Sequence, residues 1–214
     1  MANTLTKEEF NQAMCDVRKA HRLIYAYQRK MLDLTYFIKS KLDFPDYKGN
    51  PYYFGDPIKQ QRDGFLQIRD IPAWDFLYSY VFEYYFGEKN AKNGINSMFL
   101  YQVSDTGYFD NEDRDEDSYI ELATFASEIE SASKLVFYID QLEKEKTYID
   151  LMEGDERWLS ANFTKECLND NKGNIQIYYS FPLDRFLNED TTIDALKEFI
   201  EYCNNSGVSE LEII

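Results

Sequence analysis

The sequence contains few of the side chains that most often carry catalysis: one histidine and three cysteines among 214 residues. The histidine, His21, has lysine and arginine neighbours, and Cys15, six residues away, falls on a different side of the predicted helix, so we expect His21 to be partly exposed and not a general base. The odd number of cysteines and the lack of a CxxC pair predict reduced thiols, as in a cytoplasmic protein. These cysteines are Cys15, Cys167 and Cys203.

Long apolar runs and the common catalytic motifs are missing as well. No stretch approaches the roughly 20 apolar residues that span a bilayer. Residues 1–10 carry Lys7, Glu8 and Glu9 in place of an apolar signal-peptide core. We therefore expect a cytoplasmic protein without membrane contact. The sequence has no GxSxG, GxxxxGK[ST], GxGxxG or HExxH, which removes the usual hydrolase, phosphate-loop, dinucleotide and zinc-protease signatures, and we expect no cofactor.

Basic residues are outnumbered by acidic ones, 23 to 39, so the net charge is −16. The charge is uneven, because residues 1–72 sum to +3 whereas residues 103–160 sum to −12. Nonspecific nucleic-acid binding depends on lysine and arginine neutralising phosphates, so this balance argues against direct contact with nucleic acid. It favours a partner with a basic surface.

Aromatic residues are abundant, and from Trp74 to Phe86 every second residue carries a ring. Side chains alternate faces along a strand, so this register predicts a strand over 74–86 with its rings on one buried face. A second apolar stretch over 97–109, after a polar loop with Asn93-Gly94, predicts an antiparallel hairpin. The interleaved charges, Asp75 and Glu83, do not suit a base-stacking platform.

Residues 6–42 are predicted to form one long helix, which begins with a capping box at Thr6 and Glu9. Apolar residues recur at heptad spacing without proline or glycine. Additional apolar residues widen this stripe, which favours packing on a sheet over a coiled coil. The basic residues of the helix form a solvated face, or a patch for an anionic ligand or for the acidic half of a second copy. The heptad positions are Phe10, Ala13, Val17, Ala20, Ile24, Tyr27, Met31, Leu34 and Ile38.

The remaining segments complete a single-domain prediction for residues 1–214. Residues 43–72, rich in proline and aromatic rings, are predicted to form an irregular connection folded onto the body. The sheet is expected to occupy residues 73–181. Within it, residues 119–125 and 135–139 are predicted to form a second hairpin, and residues 174–181 a further strand. A helix is the alternative for residues 118–132, and residues 147–169 are ambiguous between helix and other structure.

A C-terminal helix is predicted over 191–206, capped by Thr191 and stopped by Gly207. The predicted fold class is α+β: a twisted antiparallel sheet of four to six strands packed against the long N-terminal helix and the C-terminal helix.

The run from Asp110 to Asp117 is the most acidic segment of the chain. Compared with a calcium-binding loop, it has Arg114 at position five, where a ligand is needed, and Asp115 at position six, where the turn needs glycine. We expect a solvated acidic loop and no tight calcium site.

Two functional classes remain open. The leading hypothesis is a non-enzymatic acidic protein that binds another protein, as an inhibitor, an immunity-type factor or a complex subunit. A specific version of it imitates nucleic-acid phosphates, and a homodimer is compatible with it. The alternative is a metal-dependent hydrolase or nuclease that uses clustered carboxylates. The candidate partner-binding residues are Asp105, Asp110, Glu112, Asp113, Asp115, Glu116 and Asp117. The candidate metal ligands are Asp105, Asp110 and Asp140.

Overall fold

The computed structural model describes residues 6–53, 80–110, 125–142, 155–170 and 173–214. These residues form an α+β fold with a six-stranded antiparallel sheet, as the sequence predicts. Two compact units are distinguished, Met1–Ile38 and Lys39–Ile214, and the whole sheet belongs to the second. The helices and strands in chain order are α1 (Lys7–Lys41), β1 (Lys48–Tyr53), β2 (Val81–Ala91), β3 (Gly94–Val103), β4 (Lys134–Leu142), β5 (Lys165–Asn169), β6 (Ile175–Pro182) and α2 (Glu189–Asn205).

The hairpin of β2 and β3 is present, but it is shifted along the chain from its predicted position. β2 covers residues 81–91 where the aromatic alternation predicted 74–86, and Ala91 pairs with Gly94 across a two-residue turn. A register shift between Tyr85 and Gly87 marks a bulge, and the positive φ of Gly87 (97°) suits that position. Residues 74–79 lie outside the described part of the chain.

The predicted single aromatic face is correct for Tyr84 and Phe86 and wrong for Tyr80. Tyr47 stacks on both Tyr84 and Phe86, at centroid distances of 6.0 and 6.3 Å. Tyr80 instead belongs to a core cluster with Val81. The reason is that Tyr80 lies on a bend before the strand begins, where period-two alternation does not apply.

Of the predicted hairpin between 119–125 and 135–139, residues 119–124 lie outside the described part of the chain, and residues 135–139 belong to β4. Both edges of β4 are already paired, one with β3 over residues 95–103 and the other with β6 over residues 175–182.

The sheet order is β1-β2-β3-β4-β6-β5, which makes β1 and β5 the edge strands. β1 lies in the segment predicted to be irregular, and it includes Pro51. Proline is tolerated at an edge because the missing N–H does not interrupt an interior ladder. β6 matches the predicted strand over 174–181 to within one residue.

Each face of the sheet carries its own aromatic core. On one face the ring of Phe137 contacts Phe199 of α2 at 5.0 Å between centroids, and Tyr179 contacts Tyr202 at 5.2 Å. On the opposite face Tyr101 packs against Trp158, at 4.7 Å between centroids. β4 therefore supplies alternate residues to two cores, which explains why nearly all of its residues are buried.

Helix α2 begins two residues earlier than predicted. Its N-cap is Asn188, whose side chain accepts a hydrogen bond from the Thr191 backbone N–H at 3.0 Å, so Thr191 is the third helical residue. Gly207 follows the helix with a φ of 99°, which confirms it as the stop.

Helix α1 has the predicted capping box. The Thr6 backbone N–H donates to Glu9 Oε2 at 2.7 Å, and the Glu9 N–H donates to Thr6 Oγ1 at 3.2 Å. The predicted apolar stripe is buried only in its last third, at Met31 and Ile38. Among the described residues, no helix is both long and apolar enough to cross a membrane.

Candidate functional site

Two of the predicted acidic site residues, Asp105 and Asp110, lie in the turn that follows β3. Asp105 is half-buried, and its Oδ1 accepts a hydrogen bond from the Gly107 N–H at 2.8 Å. Asp110 Oδ1 accepts from the Ala161 N–H at 2.8 Å and so connects this turn to residues 155–163. The other predicted partner-binding residues lie outside the described part of the chain, and their role stays a prediction, as does the calcium-loop prediction. They are Glu112, Asp113, Asp115, Glu116 and Asp117.

The three candidate metal ligands do not meet. Val103 pairs with Lys134, which places Asp105 and Asp110 at the start of β4. Asp140 is fully buried and lies six residues further along β4, about 20 Å away at the usual strand rise. No group of three or more His, Cys, Asp or Glu side chains that could hold a metal ion occurs among the described residues.

Lys134, at the first position of β4, was not singled out from the sequence. It is only 2% exposed, and its Nζ donates hydrogen bonds to the Trp158 carbonyl at 2.8 Å and to the Ser160 carbonyl. Burial lowers the pKa of Lys134 to about 7, and the nearby Asp110 carboxylate opposes that change. Since the amine is held by two backbone carbonyls, its role is to fix residues 158–160 against the sheet.

The face of the sheet opposite α2 carries a cleft of about 490 Å³, which we call the strand-face cleft. Its volume lies within the range of small-molecule pockets. Among the described residues, the lining side chains include carboxylates, aromatic rings and a lysine. They are Lys48, Gly49 and Asn50 from β1, Glu83, Tyr85 and Glu88 from β2, Ser97 and Phe99 from β3, and Leu142 from β4.

Glu83 is the most deeply placed carboxylate of the cleft. Burial raises its pKa above the usual value, and a hydrogen bond from the Tyr101 hydroxyl partly offsets that rise. Tyr101 is itself packed in the core against Trp158. The carboxylate is therefore held in place from below and, when ionised, is incompletely solvated, which favours a cationic ligand at this point.

Tyr85 and Phe99 form the aromatic wall of the cleft, with ring centroids 4.9 Å apart. The pKa of Tyr85 is raised, first by burial and then by the charges of Glu88 and Asp46. Lys48 Nζ lies 5.8 Å from the Tyr85 ring centroid and pairs with Asp46 at 2.9 Å. One cation from the chain itself thus already lies over this ring, a geometry typical of cation–π attraction.

The arrangement is suited to holding a basic side chain. Glu83 and Glu88 offer carboxylate acceptors, while Tyr85 and Phe99 offer ring faces within the same cleft. An arginine guanidinium satisfies both, because its planar fork bonds to carboxylates and its face stacks on rings. Lysine satisfies the charge but not the stacking.

The cleft depends on the close approach of β1 to β2, which Gly49 permits. A Cβ at Gly49 would lie 2.5 Å from Phe82 Cε1 and 2.6 Å from the Glu83 carbonyl oxygen. Gly49→Ala should therefore displace β1 and lower the free energy of unfolding by about 1–3 kcal/mol, the usual effect of overpacking. Chemical denaturation followed by circular dichroism measures this.

The neighbouring substitution Lys48→Ala is a matched control in the same strand. Lys48 is well exposed, so its removal should change the free energy of unfolding by less than about 0.5 kcal/mol. Equal effects of the two substitutions would show that the approach of β1 to β2 is not sterically limited at Gly49.

A family model matches residues 7–209, nearly the whole chain. The chain belongs to the PM0109 family. The region matched to the PM0109 family includes Lys134 and every residue of the strand-face cleft. No curated protein and no solved structure matches the chain.

Proposed function

We propose that this protein acts by binding another protein, as an inhibitor, an immunity-type factor or a complex subunit, and that the partner inserts a basic side chain into the strand-face cleft. The observation that carries the proposal is the combination of two carboxylates and two rings in one cleft. Glu83 and Glu88 lie beside Tyr85 and Phe99, and the chain's own Lys48 already lies over the Tyr85 ring, 5.8 Å from its centroid.

The favoured ligand group is arginine. Its guanidinium would stack on the Tyr85 ring and donate hydrogen bonds to the Glu83 carboxylate. Because that carboxylate is incompletely solvated, a cation stabilises its ionised form strongly. Hydrogen bonds to charged groups contribute about 1.5–3 kcal/mol each, so such a contact is a hot spot and not only a rim interaction.

The overall charge of −16 supports the same proposal at longer range. A field of that sign accelerates encounter with a basic surface, and the effect weakens as salt shortens the Debye length. The acidic run of residues 110–117 would strengthen this attraction. The cleft would provide the specific contact, and the charge would provide the speed of association.

The test compares two variants that lose the same charge. Glu83→Gln/Glu88→Gln removes both cleft carboxylates, whereas Glu128→Gln/Glu130→Gln removes two exposed carboxylates in the turn before β4. Calorimetric titration with a nona-arginine peptide should show binding to the native protein. The affinity of the cleft variant for the peptide should fall by at least about tenfold, because each loss of about 1.4 kcal/mol of contact free energy weakens binding by a factor of ten. The affinity of the control variant should fall by a smaller factor, which reflects only its reduced net charge.

Stability distinguishes loss of the site from loss of the fold. The raised pKa of Glu83 means that its ionised form is disfavoured in the folded state, so Glu83→Gln should leave the free energy of unfolding at pH 7 unchanged or higher. The same variants then serve as baits in extracts of the native host, where proteins held through the cleft should be retained by the control variant and lost from the cleft variant. Equal retention by both variants would overturn the proposed role of the cleft.

A further inference from the structure

The first two thirds of α1 present an apolar seam to solvent. No residue of α1 before Met31 is buried. Phe10 is 52% exposed, Val17 46% and Ile24 42%. These three residues are spaced seven apart, and Ala13 and Ala20 lie between them at the complementary heptad positions.

This seam has the pattern of a coiled coil and not of a solvated helix. Heptad spacing places Phe10, Val17 and Ile24 at position a, and Ala13 and Ala20 at position d, on one line of the helix. An exposed line of this kind is unfavourable in water and is typical of a helix that packs against another helix. Leu23, which is 72% exposed beside the line, widens the apolar surface.

The charges along the same segment fit a partner helix on which the acidic and basic stretches run in the opposite order. Residues 7–16 contain three acidic side chains and one lysine, for a net charge of −2. Residues 17–30 contain five lysines and arginines and no acid, for a net charge of +5. A second copy in antiparallel orientation places each acidic half beside a basic half, whereas a parallel copy would place the two +5 halves side by side.

The sizes of the seam residues favour the same orientation. In an antiparallel pair centred between Val17 and Ala20, Ala13 faces Ile24 of the other copy and Val17 faces Ala20, so that each small side chain meets a branched one. A parallel pair would instead stack alanine on alanine in two layers. Alternating large and small side chains across the interface allows close packing without voids.

The flanking positions are also compatible. In the antiparallel pair Glu9 of one copy lies beside Lys30 of the other, and the symmetry repeats this pair at the opposite end. We infer that residues 7–30 of α1 associate with a second copy of this chain as an antiparallel two-helix coiled coil.

The first experiment measures the mass of the full chain in solution by sedimentation equilibrium. The native protein should be a dimer that dissociates on dilution. Val17→Glu/Ile24→Glu puts two charges into the seam, and it should leave a monomer at concentrations where the native protein is dimeric. Asn11→Glu/Ala26→Glu adds the same two charges on the outer side of the helix and should remain dimeric.

The second experiment determines the orientation. In a background with Cys15 and Cys167 replaced by serine, the single variants Val17→Cys and Ala20→Cys are mixed and oxidised. The antiparallel pair predicts a disulfide between position 17 of one copy and position 20 of the other, identified by mass spectrometry of the digested dimer. Ile24→Cys alone should not form a disulfide with itself.

Three results would overturn the inference. A native chain that stays monomeric at the highest accessible concentration would show that the seam does not bind a second copy. A dimer that survives Val17→Glu/Ile24→Glu would place the interface elsewhere. Efficient self-linking at position 24 would show a parallel pair. Circular dichroism of each variant verifies that the helix is retained, since positions 11, 17, 20, 24 and 26 are all exposed.

Discussion

Replacement of Phe137 by alanine should lower the free energy of unfolding by about 3–5 kcal/mol, a large part of the total stability of a single domain. Phe137 is fully buried in β4, and its ring contacts Phe181, Phe186 and Phe199 at centroid distances of 5.5, 6.1 and 5.0 Å. These neighbours come from the sheet, from the turn before α2 and from α2 itself, so the cavity cannot close by movement of one element. Urea denaturation followed by tryptophan fluorescence and circular dichroism measures the change.

Two substitutions with smaller expected losses of stability serve as controls for Phe137→Ala. Leu187→Ala removes a side chain that is 78% exposed and should change stability by less than about 0.5 kcal/mol. Phe82→Ala should have an intermediate effect, because Phe82 is half-buried; its ring centroid lies 4.8 Å from that of Tyr84. A loss for Phe137→Ala no larger than that for Phe82→Ala would show that α2 is not held on the sheet by the Phe137 cluster.

Lys134 should make the stability depend on pH above neutrality. Its pKa is about 7 in the folded protein and about 10.4 in an unfolded chain. Between these values the unfolded chain binds more protons than the folded protein, so the free energy of unfolding rises with pH. The slope for one proton is at most about 1.4 kcal/mol per pH unit, which gives a gain of about 2 kcal/mol from pH 7 to pH 9.

Lys134→Met removes this titration while it keeps an unbranched chain of similar length. The quantity to compare is the difference in unfolding free energy between the native protein and this variant, measured at several pH values. Other groups occur in both proteins and cancel in the difference; one is the Cys203 thiol, which titrates in this range only in the unfolded chain because burial raises its pKa in the folded protein. If the difference is constant from pH 7 to pH 9, the Lys134 amine has the same pKa in the folded protein as in the unfolded chain, and the prediction is wrong.

The local elements of this protein were determined by short-range sequence signals. The heptad spacing and the Thr6–Glu9 capping box predicted α1 to within one residue at each end, because both signals lie within single turns of the helix. The alternation of apolar residues likewise predicted β6. The α+β class followed from the order of these elements.

The edge strands were not predicted, for a different physical reason. β1 contains Gly49 and Pro51, which are unfavourable inside a sheet, and it is stabilised by pairing with β2 on one side only. β5 is five residues long with a mixed polar pattern. Such strands form because a neighbouring strand offers unpaired N–H and C=O groups, which no local pattern encodes.

The chemistry of the molecule was decided by tertiary structure. Glu83 and Phe99 are brought into one cleft by strand register, and a shift of one residue would turn each to the opposite face. Lys134 is an ordinary lysine in the sequence, but the carbonyls of Trp158 and Ser160 come to it from more than twenty residues away and make it a buried one. Composition alone determined the acidic character of this protein. Which carboxylates can hold a ligand depends on long-range pairing, because desolvation and partner geometry arise only when distant segments meet.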